Sequence, residues 1–324
     1  MLRSMYSGIS GMKANQTKLD VIANNIANVS TTSFKASKVN FADTLYQSTS
    51  TATSPTASIG GTNAKAVGLG AKVSSINKLM TKGNALSTGR SLDVCVDGDG
   101  YFIASKGTVA GTLTLTSNAV TGTTDVSDKA YTRDGNLSLD QDGNLLTSNG
   151  YRIMGYRATG SGTVDSTGKI VIGTRVDPDA GTVAYDADLK PLAIPDKIGT
   201  DAIQSFAIGS DGVITATTSV GKSVIGQIAM ASFKNPEGLQ DIGNSYQETS
   251  SNSGPAIISS GLNTSATDNS SAFGAMESGY LEASNVDLTA QFTDMISATR
   301  SFQAASKMIS NGDEILQTIT GLIR

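Results

Sequence analysis

Large apolar residues near the start of the chain keep a regular spacing. Leu2, Met5, Ile9, Met12, Gln16, Leu19, Ala23 and Ile26 fall at alternating intervals of three and four, an a/d heptad stripe with one polar break at Gln16. Asn24, Asn25 and Asn28 crowd its end, and Ser30-Thr31-Thr32 stops it, because short polar side chains offer the backbone competing hydrogen bonds. At the other terminus Leu288, Met295, Phe302, Ile309, Leu316 and Ile323 recur every seven residues. Gln291, Ala298, Ala305, Gly312 and Ile319 follow the first five at a distance of three. Large knobs alternating with mostly small neighbours make a seam that accepts a close partner helix. Ser284, three residues before Asp287, predicts the start of this helix through a relative of the capping box. A helix of roughly 40 residues would reach about 60 Å.

Between these ends the pattern shortens to β structure. Asp97-Gly98, Asp99-Gly100, Asp134-Gly135, Asp142-Gly143 and Asp211-Gly212 are hairpin-turn signals flanked by short runs such as Tyr101-Phe102-Ile103 and Leu145-Leu146-Thr147. The stretches 108–129 and 159–191 read as insertions at hairpin tips, and the Ser/Thr/Gly-rich segments 47–70 and 249–270 read as linkers. The predicted class is α+β, with long terminal helices pairing in a coiled-coil-like domain and a mainly-β centre carrying hairpin insertions. The expected division is a terminal helical domain of residues 1–30 and 284–324, connecting segments 31–70 and 249–283, a central β domain of 71–158 and 192–248, and an inserted hairpin or small outer domain at 159–191.

Composition then removes whole classes of chemistry. The 324 residues include no His and no Trp, and 1 Cys. Without His there is no Ser-His-Asp or Cys-His nucleophile and no imidazole metal ligand. The lone Cys95, inside Leu92-Asp93-Val94-Cys95-Val96, reads as a buried strand residue rather than a disulfide or cluster ligand. Asp140, Asp142 and Asn144 match the first ligand positions of a calcium loop, but Leu145 stands where Gly is required and no Glu closes the motif, so these are solvated turns. Gly68-Leu69-Gly70 lacks the rest of a phosphate-binding fingerprint. No enzyme, cofactor or metal is expected. Net charge −4 makes no electrostatic case for nucleic acid, and no apolar run is long enough for membrane insertion. The N-terminus lacks the apolar core of a secretory signal, which on targeting alone implies the cytoplasm.

The terminal segments also carry recognisable motifs. Ser7-Gly8-Ile9-Ser10-Gly11-Met12 and Leu19-Asp20-Val21-Ile22-Ala23-Asn24-Asn25-Ile26-Ala27-Asn28 through Phe34-Lys35 resemble the N-terminal signature of bacterial flagellar axial proteins of the rod and hook group. Ser284-Asn285-Val286-Asp287-Leu288, Arg300-Ser301-Phe302-Gln303-Ala304 and Asp313-Glu314-Ile315-Leu316-Gln317 are similar to its C-terminal signature. In the middle, Thr88-Gly89-Arg90-Ser91-Leu92-Asp93-Val94, Tyr131-Thr132-Arg133-Asp134-Gly135-Asn136 and Phe233-Lys234-Asn235-Pro236-Glu237-Gly238-Leu239 extend the resemblance. Where the family usually places Gly before the Phe-Lys pair, this chain has Ser33.

The resemblance implies a structural subunit that polymerises into a tube: a hook subunit, toward which the Thr88–Val94 run leans, with a distal rod subunit as the alternative. It also implies export through the flagellar type III apparatus without a cleaved signal, unfolded terminal segments before assembly, and a final place in the flagellum outside the cell. The implied partners are further copies of the chain and the rod, hook-cap and hook–filament junction proteins. The self-assembly seam is assigned to Leu2, Met5, Ile9, Met12, Leu19, Ile26, Leu288, Met295, Phe302, Ile309, Leu316 and Ile323. Two readings from other classes are a secreted β-domain adhesin and a cell-wall glycan enzyme; few aromatics are available to line a sugar cleft or anchor a ligand.

Overall fold

The computed structural model describes residues 2–56, 59–116, 119–158, 163–165, 169–178, 183–258 and 274–322. It divides into two compact units. The first holds residues 1–30, 35–79 and 286–324, and the second residues 31–34 and 80–285.

In the first unit, helix α1 (Leu2–Ala27) spans 26 residues and α2 (Leu288–Leu322) spans 35, about 52 Å at a rise of 1.5 Å per residue. Between them in sequence lie strands β1 (Ser37–Asp43), β2 (Tyr46–Ser50), β3 (Lys65–Gly68) and β4 (Ala71–Lys78). β1 pairs antiparallel with β4, with a bulge between Asn40 and Phe41, and β2 pairs with β3. Residues 31–70 are therefore no bare connection, since β1, β2 and β3 all lie within them, and residues 71–79 belong with the helices rather than with the central β domain. Ser and Thr make up much of β2 and of the residues between β2 and β3, so the composition resembles a linker's, yet both residues tolerate extended backbone when a partner strand supplies the hydrogen bonds.

The start of α2 also differs from expectation. Asp287, not Ser284, is the capping residue, its Oδ1 accepting from the backbone N–H groups of Thr289 at 2.9 Å and Ala290 at 3.3 Å.

The second unit is built of β-strands, with one turn of 3-10 helix at Pro236–Gly238. Its strands are β5 (Ala85–Ser87), β6 (Val94–Asp97), β7 (Tyr101–Thr116), β8 (Ala119–Thr132), β9 (Leu137–Leu139), β10 (Leu145–Thr147), β11 (Arg152–Arg157), β12 (Thr163–Val164), β13 (Ile170–Val171) and β14 (Lys190–Pro191). There follow β15 (Lys197–Ile198), β16 (Asp201–Ile208), β17 (Val213–Thr218), β18 (Lys222–Ile228), β19 (Met230–Ser232), β20 (Gln240–Gly243), β21 (Tyr246–Glu248), β22 (Ile257–Ile258), β23 (Ala275–Ser278) and β24 (Tyr280–Glu282). The main sheet runs β15-β16-β17-β18-β11-β7-β19-β22-β8-β21-β20, with β7 and β8 also paired as one long hairpin. The described residues of the stretch 108–129 belong to the outer parts of those two strands. Within 159–191 the described residues form the small hairpin β12–β13 and strand β14, which joins β11 in the main sheet. The expected connection 249–283 contributes three strands, β22, β23 and β24, to this unit; residues 259–273 lie outside the described residues.

The central strands of the sheet are covered on both faces. On β7, Phe102 and Ala104 enter one hydrophobic core with Val94, Leu137 and Ile153, while Tyr101 and Ile103 enter a second with Tyr131, Met154 and Tyr156. Phe233 meets Tyr101 and Tyr131 edge-on, at centroid separations of 5.5 and 4.9 Å. Cys95 is a fully buried strand residue, as its flanking valines suggested, and burial pushes its thiol pKa up. Burial also raises the phenols of Tyr101, Tyr131 and Tyr185 to about 12.

Two polar devices tie sequence-distant segments of this unit together. Arg133 Nε donates to Glu282 Oε2 at 3.0 Å, and both side chains are buried. Glu282 Oε1 accepts from the Gly83 N–H at 3.0 Å, Arg133 Nη2 donates to the Gly98 carbonyl at 2.8 Å, and the guanidinium lies 5.7 Å from the centre of the Tyr101 ring. Beside them Ser33 adopts φ +57°, the left-handed region that glycine enters freely. Its Oγ donates to the Arg133 carbonyl at 2.8 Å and its N–H to the Glu282 carbonyl at 2.8 Å, so the departure from the family's Gly is held by two hydrogen bonds.

The acidic turn at Asp140 is self-contained. Its Oδ1 accepts from the amides of Asp142 and Asn144 at 3.0 and 2.7 Å, and its Oδ2 from Asn144 Nδ2 at 2.7 Å. Those lone pairs serve the turn. No helix among the described residues is long and apolar enough to cross a membrane.

Candidate assembly surface

Helices α1 and α2 run antiparallel against each other. Met5 lies by Gly312, Gly8 by Ala305 and Ile309, Lys18 by Asp294 and Asn25 by Gln291, so rising numbers on one helix meet falling numbers on the other. Two glycines set the spacing. A Cβ added at Gly8 would stand 3.3 Å from Ile309 Cγ1 and 3.4 Å from the Ala305 carbonyl oxygen, and one at Gly312 would stand 3.1 Å from Met5 Cγ. Small residues in a seam permit this close approach of backbones.

Most of the heptad positions read from the sequence are at least half-buried in this unit. Met295, Phe302, Ile309 and Leu316 are half-buried, Ala298 and Gly312 are buried, and Met5, Met12, Leu19 and Ile26 are half-buried. Two predicted seam residues are more open: Ile9 is 37% and Leu288 39% exposed. The Leu2 side chain and Ile323 lie outside what is described. Gln16 and Ala23, which completed the α1 stripe on paper, are exposed.

The residues buried most deeply on α1 are instead Ala14, Ile22 and Asn25. The reason is that α1 has two neighbours, α2 and the β1–β4 pair. Two partners cover a wider arc than a single a/d seam. Asn25 joins all three: Nδ2 donates to the Ser37 carbonyl at 2.8 Å and to Gln291 Oε1 at 3.1 Å, while Oδ1 accepts from the Ser37 N–H at 3.0 Å. Hydrophobic periodicity had no means of marking it, because its role is polar and its partners are distant in sequence. A solvent-facing pair, Lys18 Nζ to Asp294 Oδ1 at 2.9 Å, completes the contact and contributes little on its own.

The seam covers only one side of α2. Phe292, Ile296, Met308, Ile315 and Leu322 remain exposed, as does Tyr6 on α1. Large apolar residues repeated along a helix without an intramolecular partner mark a surface that meets another molecule.

Known proteins match in the same places. The chain matches the model of the flagella basal body rod protein family over residues 5–35, the flagellar hook protein FlgE/F/G D1 domain over 119–216, and the flagellar basal body rod FlgEFG protein C-terminal family over 277–322. It is 41% identical to the flagellar basal-body rod protein FlgG of Bacillus subtilis over 325 residues, covering all of both chains. It is 29% identical to the flagellar hook protein FlgE of Borreliella burgdorferi over 449 residues and to that of Treponema pallidum over 471. These alignments cover 99% and 100% of this chain and all of each relative. With motifs at both ends, a paired terminal helix unit and full-length relatives that are structural proteins rather than enzymes, the chain belongs to the flagellar rod and hook family of axial structural proteins.

Proposed function

We propose that this chain is the distal rod subunit of a bacterial flagellum, a structural protein that polymerises head to tail into a tube through its terminal helices. The observation that carries the reading is length. The alignment with the rod protein of Bacillus subtilis spans both chains end to end in 325 positions, whereas the hook proteins of Borreliella burgdorferi and Treponema pallidum require 449 and 471. The described parts of the insertions support it too, since they form hairpins and sheet strands of one β unit rather than a third compact unit. A hook subunit is the second reading, favoured by the Thr88–Val94 run. In the fold that run makes a local turn held by Arg90 and Asp93, 3.1 Å apart, which gives it a structural use in either protein.

In this account α1 and α2 form a coiled-coil-like element of the tube wall. Met5, Met12, Leu19 and Ile26 with Met295, Phe302, Ile309 and Leu316 hold it together, each fully buried apolar side chain being worth about 1.5–3 kcal/mol and these half-buried ones less. The exposed apolar residues of α2 meet neighbouring copies in a heterologous contact that does not close into a ring. Unpaired, each helix has too little apolar burial to offset its ordering entropy. The termini are therefore unfolded during passage through the type III export apparatus, without a cleaved signal, and fold on joining other copies and the adjoining rod and hook proteins. Immunogold labelling of isolated hook–basal bodies tests the assignment. Gold on the rod is the expected result; gold along the hook would replace this reading with the second one.

A further inference from the structure

The heptad seam between α1 and α2 does not fix its own alignment. A stripe that repeats every seven residues meets the same kind of residue again after a slip of seven. Moved by one heptad toward lower or higher numbers on α2, Met5 faces Ala305 or Ile319 in place of Gly312, and Gly8 still faces a small residue, Ala298 or Gly312. In the first of these slips Lys18 exchanges Asp294 for another acid, Asp287. Apolar burial and a solvent-facing ion pair therefore separate the registers weakly. In the polymer reading above, the termini of several copies fold side by side, so slipped and exchanged pairings compete with the native one.

One polar contact does not repeat. Of the buried residues described on α1, which are Ala14, Ile22 and Asn25, only Asn25 is polar, and it is 1% exposed. Its carboxamide is fixed by a single peptide group: Oδ1 accepts from the Ser37 N–H and Nδ2 donates to the Ser37 carbonyl, the pairing that a neighbouring strand would make. A carboxamide carries donor and acceptor side by side, as this pairing requires, whereas a carboxylate or an apolar side chain does not. With one Nδ2 proton committed to β1, the other is left for α2 and goes to Gln291 Oε1 at 3.1 Å. After a slip of one heptad the residue opposite is Ala298, whose side chain has no acceptor, or Ser284, which precedes the first residue of α2. Either slip leaves a buried donor without its partner, a cost that apolar contact elsewhere in the seam does not offset.

We propose that Asn25 determines the register of the α1–α2 pair. Held by the Ser37 peptide, it matches α2 only where Gln291 stands opposite, and so discriminates against pairings slipped by a heptad, within one chain or with the α2 of a second copy. The proposal rests on the helix-seam reading above and adds the feature that makes every copy pair alike. A buried polar residue in an apolar seam gives up stability for a single register. Strand β1 is the template, because the Ser37 peptide decides which way the carboxamide faces.

The test reads register by disulfide formation in polymer of the full-length chain, quantified by peptide mass mapping; Cys95 is fully buried and stays in place. Met5→Cys with Gly312→Cys reports the native register, since a Cβ at Gly312 would stand 3.1 Å from Met5 Cγ, the place a thiol sulfur takes. Met5→Cys with Ala305→Cys, or with Ile319→Cys, reports the two slips. With Asn25 and Gln291 intact the native pair should exceed each slipped pair about tenfold or more, the preference expected from one buried donor left without a partner. Asn25→Leu and Gln291→Leu should each cut that excess to about threefold or less, while Gln291→Glu, which keeps an acceptor, retains it. Circular dichroism checks the helices of every variant, and if Asn25→Leu loses them the two Gln291 variants decide. A tenfold excess that survives Gln291→Leu overturns the inference and leaves the helix seam standing. Loss of the excess in Gln291→Glu as well would assign the effect to packing at that position and also overturn it. Failure of all three cysteine pairs to oxidise would overturn the seam itself.

Discussion

The buried Arg133–Glu282 pair sets a quantitative test of how the β unit is held together. Removing one member by Arg133→Met or Glu282→Leu strands the other charge in a site where the two side chains are 6% and 0% exposed, which costs about 3–5 kcal/mol. At a urea dependence of about 2 kcal/mol per molar, each single variant should lose about 2 M in its unfolding midpoint. The double variant buries no charge. It leaves the Gly83 N–H and the Gly98 carbonyl without the partners they have now, at about 1–2 kcal/mol each, so it should cost about 2–4 kcal/mol where the singles sum to about 6–10. The coupling energy is therefore about 2–8 kcal/mol. Urea unfolding followed by circular dichroism and by tyrosine emission measures it, the chain having no Trp. Effects that add within about 0.5 kcal/mol would refute the reasoning, because independent sites behave that way.

Other consequences follow from single groups. Ser33→Gly releases the left-handed strain, about 1 kcal/mol, and loses one hydrogen bond of similar worth, whereas Ser33→Ala keeps the strain and loses the bond. The Gly variant should therefore be the more stable by about 1 kcal/mol, and equal urea midpoints would contradict that. Tyr101, Tyr131 and Tyr185 hold their protons to about 12 in the folded chain, while the unfolded chain releases them near 10. Their contribution is complete below pH 10 and is lost as pH rises from 10 to 12, each giving up to about 1.4 kcal/mol per pH unit; phenolate absorbance and urea midpoints across that range should move together. Cys95, fully buried with a raised pKa, should resist a thiol reagent at pH 8 until the β unit unfolds, and rapid labelling of the native chain would place it at the surface.

The terminal helices were legible because a heptad is a local pattern, and Met295, Phe302, Ile309 and Leu316 are half-buried on the second of them. Strand segments marked by Asp-Gly turns were legible for the same reason. What the sequence concealed depends on partners far away in the chain. The Ser/Thr-rich residues 37–78 pair only because Ser37 finds Lys78 and Tyr46 finds Gly68, and without that register they read as linker. Asn25 looked like one of several helix-stopping asparagines until Ser37 and Gln291 closed around it. Ile9 and Leu288 fit the heptad yet stay more open, a difference that spacing alone has no means of marking. The Ser33 position was visible as a departure from the family's motif, but its left-handed backbone and the two hydrogen bonds that hold it were not.

The central claim is that the paired terminal helices build a straight tube. Electron microscopy of polymer grown from the purified full-length chain, beside the Phe302→Asp variant, tests it most directly. Straight hollow tubes from the wild-type chain are predicted, with none from the variant although its β unit keeps the wild-type urea midpoint. Wild-type tubes that curve would contradict the rod assignment, and normal tubes from Phe302→Asp would contradict the seam itself.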